Sequence, residues 1–160
     1  MDSAEALRAQ LVDLLDWHGA HVDFDAAVKS VPAGLQGAQH DGLPYSPWQL
    51  LEHVRIAQHD ILDFCRNPAY AEMNWPEDYW PAATAPPSAE AWEASVAAFR
   101  RDRDAMKQLV ADPTVDLFAK IPHGTGQTCL REALLIADHN AYHLGQLVAV
   151  RRLLGIWPAA

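Results

Sequence analysis

Leu130-Arg-Glu-Ala-Leu-Leu-Ile-Ala-Asp-His139-Asn-Ala-Tyr-His143-Leu-Gly-Gln146 is the stretch that decides how this chain reads. Its apolar positions recur with helical spacing, and no proline or paired glycine interrupts them. In such a helix residues i and i+4 stand one above the other, so His139 and His143 share a face. That face also carries Leu135, Ile136, Leu147 and Val150, which turns the two imidazoles toward a core. Eight histidines in 160 residues produce about 0.35 such pairs by chance, so spacing alone does not make a site. Position does more, because a buried neutral imidazole has both a donor and an acceptor to satisfy, and metal coordination uses one of them.

The opposite side of this last helix, with Leu130, Leu134, Ala137, Ala141, Leu144 and Val148, is apolar too. A helix apolar on two sides is central in its fold or shared with a second subunit, so a homodimer is expected. Thr128 caps the helix at its start, and Gly155 is placed as a C′ residue at its end.

Three further helices precede it. The first is expected over Ser3 to His18, with Leu7, Leu11, Leu14 and Leu15 on one face. A short helical turn follows at residues 24–29. The second long helix opens at Ser46-Pro47-Trp48-Gln49, a serine N-cap with proline at N1 and glutamine at N3, and runs to about Cys65 before Asn67-Pro68 ends it. The third spans Ser88 to about Val110. Residues 68–87 hold five prolines together with Trp75, Tyr79 and Trp80, a composition that predicts a packed cover. No strand alternation and no internal repeat occurs. The expected fold is all-α, a four-helix bundle with long loops, formed by 1–160 as one domain.

The formal charge of −9 opposes nucleic acid or an anionic membrane as a partner. No apolar run reaches the roughly 18 residues of a bilayer span, and no signal peptide is visible, so a cytoplasmic location is expected. Cys65 and Cys129 lack the spacing of a redox or zinc motif. The dipole at the head of the last helix would lower the Cys129 thiol pKa, whereas burial as a structural residue is the plainer reading.

The third ligand candidate is His53, at the edge of the second helix's apolar face. Three histidines leave an open coordination position, the arrangement of a reactive metal rather than a structural one. Asp60, two turns on, is an outer acceptor or an occasional ligand, with an exposed helical acid as the plainer reading. His123 leads into the last helix and is placed at a pocket mouth; His18 and His21, near the end of the first helix, are either pocket residues or ordinary helix-end histidines. His59 and Glu52 read as surface residues.

With these residues in place the chain resembles the DinB-like (YfiT-like) family of metal-binding four-helix bundles. The likeness rests on Tyr45-Ser-Pro-Trp-Gln-Leu-Leu-Glu-His53, Gly126-Gln-Thr128, Asp138-His139-Asn-Ala-Tyr-His143-Leu-Gly-Gln146 and Leu153-Leu-Gly-Ile-Trp157-Pro. It implies one histidine on the second helix and an HxxxH on the last as ligands of a divalent transition metal. Zinc or nickel is expected first, with iron or copper also compatible with imidazole donors. It further implies a small-molecule substrate, such as a low-molecular-weight thiol, and thiol-dependent S-transfer or hydrolysis. The rival expectation is a non-catalytic, stress-related dimeric bundle that binds metal or a ligand without turnover.

Overall fold

The computed structural model describes residues 2–16 and 19–158, and among them the chain is helical, with an isolated bridge between Lys120 and Thr128 as its only β pairing. Its helices are α1 (Ser3–Asp16), α2 (Phe24–Val28), α3 (Pro47–Arg66), α4 (Ala91–Ala111) and α5 (Cys129–Leu153). The four long ones are those the periodicity predicts. His18, expected to close the first helix, lies outside the described residues.

Local chemistry sets the ends. Ser46 Oγ accepts from the Gln49 amide while Gln49 Oε1 accepts from the Ser46 amide, so the capping box before α3 is complete. Thr128 Oγ1 accepts from the Arg131 amide at the start of α5. Gly155, at φ +70°, follows the C-cap Leu154 in the left-handed region that glycine tolerates. The third helix starts later than Ser88, at Ala91, after a turn in which the Ala91 amide donates to the Ser88 carbonyl, and its N-cap Glu90 makes no side-chain cap.

α5 packs antiparallel on α3, as the His53–His143 pairing near one end and the shared Cys65/Cys129 pocket near the other require. α4 lies parallel to α3: Gln58 donates to the Phe99 carbonyl and His59 meets Asp102, the two sequences rising together. Parallel neighbours oblige the chain to return the full length of α3, about 30 Å for 20 residues, before α4 can begin. That return is the physical reason for the long proline-rich connection.

The core has two parts. Phe24, Leu50, Leu51, Trp92, Phe99, Leu147 and Val150 fill the end nearest the histidines; Leu11, Leu15, Leu62, Met106, Val110 and Ile136 fill the other. Between them the buried amides of Gln58 and Asn140 hydrogen-bond at 3.0 Å, a polar seam that fixes the register of α3 against α5. Buried Arg151 ties α2 to α5 by donating to the carbonyls of Ala26, Ala27 and Lys29. Favourable cation placement at a helix end explains that contact.

The second apolar stripe of α5 is partly spent inside the chain, since Ala137 and Leu144 are buried while Leu134 remains exposed. Glu52 departs from the surface position expected of it. It is buried and holds Arg55 through two 2.8 Å contacts, so its carboxylate is paired where the helix turns inward. Arg55 and Ser95 hold its carboxyl below the usual range although burial opposes them.

Candidate metal centre

α3 and α5 bring three imidazoles to one point. His53 Nε2 lies 3.1 Å from His143 Nε2 and 3.0 Å from His139 Nε2. Among the described residues, these three form the only group of potential ligands close enough to hold one ion. Metal–nitrogen bonds of about 2.0–2.1 Å, at angles of about 90–109°, separate donor nitrogens by about 2.9–3.4 Å. Both separations from His53 fall in that range, and the three donor atoms all lie within 4.8 Å of one another.

The outer nitrogens determine what the inner ones present. His53 Nδ1 lies 2.9 Å from the Tyr79 carbonyl, which only accepts, so Nδ1 carries the proton and Nε2 a lone pair. His143 Nδ1 is 2.7 Å from Gln146 Oε1, and the same logic leaves its Nε2 unprotonated. Two lone pairs 3.1 Å apart repel unless a cation lies between them. A proton is disfavoured there. Burial pushes the His53 pKa down to about 4, with His143 and His139 adding to the effect against the Tyr79 carbonyl. Burial and His143 likewise push His139 down to about 4, and burial lowers His143. Neutral rings with converging lone pairs are the donor set a divalent ion requires. His139 Nδ1 is buried without a hydrogen bond of its own.

Above this centre lies the connection between α3 and α4. Trp80 stacks on His53 at 3.7 Å between centroids and 5° between planes, and Tyr45 stacks on the far side of Trp80 at 3.9 Å. Trp75, the other tryptophan of the connection, faces solvent. The cover is anchored at several points. Asp60 accepts from the hydroxyls of Tyr79 at 2.7 Å and Tyr70 at 2.9 Å. Ser46 Oγ donates to the Thr84 carbonyl, and a side chain at Gly37 would collide with Ala85. Burial and the Asp60 carboxylate push the Tyr70 hydroxyl up to about 12 and the Tyr79 hydroxyl higher still.

The remaining candidates divide clearly. Asp60 is buried, against the exposed-acid reading, and acts on the cover rather than on the imidazoles directly. His123 lines a cleft of about 470 Å³ together with Asp60, and its Nε2 donates to the Phe64 carbonyl. His21 is exposed, its Nδ1 on the Val22 carbonyl, and takes no part in the cluster. His18 lies outside the described residues. His59 is exposed, as its spacing predicts, and meets Asp102 at 3.0 Å. Burial raises both thiols, so Cys129 is structural rather than activated.

Sequence reasoning missed Gln146, Tyr45 and the Tyr79 carbonyl, and it places Trp80 in the cover without the stack on His53. Gln146 was findable, since i+3 from His143 puts it on the same face. The others depend on how the cover folds back. No helix is long and apolar enough to cross a membrane among the described residues. The family model of the DinB superfamily matches residues 16–147. No curated protein and no solved structure matches the chain.

Proposed function

This chain belongs to the DinB superfamily, and from that premise we propose that it is a metal-dependent enzyme whose divalent ion is held by His53, His139 and His143. One observation carries the reading: the Nε2 atoms of His139 and His143 both lie within 3.1 Å of His53 Nε2, while the Nδ1 atoms of His53 and His143 are committed to oxygen acceptors and leave two lone pairs facing each other. The ion would supply Lewis acidity at the position that three protein ligands leave open, which serves S-transfer to or from a small thiol as well as hydrolysis.

The residues around it have defined tasks. The Tyr79 carbonyl and Gln146 orient two of the rings and hold their protons at Nδ1. Trp80, backed by Tyr45, keeps water from one face of His53. His139 is only half-buried, which leaves an approach from its side. Zinc or nickel suits the donors, iron and copper as well. A cytoplasmic homodimer acting on a small molecule completes the proposal.

The Trp80 stack also favours a second reading, a non-catalytic bundle that stores or senses the metal beneath a closed cover. Metal analysis of protein purified without a histidine tag tests the centre. Stoichiometric metal is expected, lost in His139→Ala and His143→Ala; equal metal in both variants refutes the site. Cobalt-substituted protein separates the two readings, because an open position shifts its visible spectrum on addition of a small thiol and a sealed one does not.

A further inference from the structure

One turn below His139 on α5, and two turns beyond His53 on α3, a cleft of about 470 Å³ opens beneath the cover. It is separate from the imidazole cluster, none of whose rings lines it. Its walls are aromatic and charged, with the carboxylates of Asp60, Glu72 and Glu132 against the single guanidinium of Arg131. Phe64, Tyr70 and His123 present rings 5.2–6.3 Å apart, with Phe64 edge-on to both of the others. Leu135 and Ile61 add an apolar flank, and Tyr79 brings the cover's edge to it.

Glu132 gives the cleft its polarity. It lines the space yet is 2% exposed, while its partner Arg131 is largely in solvent and reaches it at 2.7 Å through Nη1 and Oε1. A carboxylate near the start of a helix complements the dipole, but that effect needs no burial. Burying one costs several kcal/mol unless a cation meets it, and a single flexible arginine at the rim is a weak compensation. Asp60, buried on the same wall, adds a second carboxylate whose two oxygens accept tyrosine hydroxyls. Among the described residues these acids do not converge tightly enough with others to form a metal site. Carboxylates beside aromatic faces make a box for an organic cation, which gains from charge and ring quadrupole together.

We infer that this cleft binds a small molecule bearing an ammonium group, with the nitrogen toward Glu132 and its apolar portion against Phe64 and Leu135. Tyr79 links the cleft to the centre above, its hydroxyl on Asp60 and its carbonyl on His53. As the recognition pocket of the enzyme's substrate the cleft rests on the metal-dependent reading; as a binding site it stands without it.

Benzylamine, benzyl alcohol and phenylacetate, equal in ring and nearly equal in size, test the inference by titration followed through backbone amide shifts. Benzylamine should perturb Tyr70, Thr125 and Leu135 and bind at least about tenfold more tightly than benzyl alcohol. Phenylacetate should not saturate. Glu132→Gln, which keeps the shape of the side chain, should weaken benzylamine by about tenfold or more with metal content unchanged. Alcohol or acid binding as tightly as the amine overturns the inference, as does benzylamine affinity unaltered in Glu132→Gln. The ligand series needs only the unmodified chain, so a variant that fails to fold leaves the test intact. Running it on metal-loaded and metal-free protein keeps the two readings apart: amine binding without any metal uptake would sink the metal centre and leave the cleft standing.

Discussion

Replacing Asp60 by alanine should release the cover from α3 and loosen the metal centre that it never touches. Asp60 is buried and accepts two hydroxyl hydrogen bonds, at 2.7 Å from Tyr79 and 2.9 Å from Tyr70. Hydrogen bonds to a charged group contribute about 1.5–3 kcal/mol each, giving a gross loss of about 3–6 kcal/mol. Both tyrosines are only half-buried, so water recovers part of that loss, and a net cost of about 2–4 kcal/mol is expected. The consequence for the metal follows from Tyr79. The same residue that anchors its ring on Asp60 gives its carbonyl to His53 Nδ1, so freeing the ring frees the carbonyl. Loss of such an outer partner lowers metal affinity by about 10–100-fold. Urea unfolding of the metal-free protein measures the first effect and competition against a chromophoric chelator the second. A double-mutant cycle with Tyr79→Phe isolates the shared contact, and a coupling of at least about 0.5 kcal/mol is expected for residues in direct contact. Stability within about 0.5 kcal/mol of the parent, together with unchanged metal affinity, would refute the clamp.

Gln146→Leu should remove the acceptor of His143 Nδ1 while keeping the helix, and lower metal affinity by about 10–100-fold with little change in secondary structure; isothermal titration of the metal-free variant reads this directly. The metal-free protein should be fully stable above about pH 6.5, the ordinary histidine value, and lose stability as pH falls toward 4. Burial holds His53 and His139 at about 4, so in that interval the unfolded chain takes up protons that the folded one refuses. Below about 4 these two rings contribute no further loss. Unfolding midpoints between pH 4 and 7 that do not move would contradict the buried neutral rings.

Much of this architecture is written in local patterns. The Ser46–Gln49 box, Thr128 and Gly155 mark helix ends through contacts within four residues, and the periodicity of α3 and α5 turns His53, His139 and His143 to the seam. Neighbouring residues decide such features, so a linear reading finds them. Glu52 is misplaced, and Asp60 left open between a pocket-side role and an exposed acid, for the complementary reason. Each looks like a surface acid on its own helix, and each is buried by groups distant in sequence, Ser95 for one and the tyrosines of the cover for the other.

The sequence by itself determined the helices and the three imidazoles, because helical spacing fixes which side chains share a face. The tertiary structure alone decided what those imidazoles present to an ion. Their proton positions depend on the Tyr79 carbonyl, 26 residues from His53, and on the packing that brings α3 and α5 together. It also decided the cleft below them. A cavity exists only where elements far apart in the chain fail to fill the space between them, and no local pattern records that space.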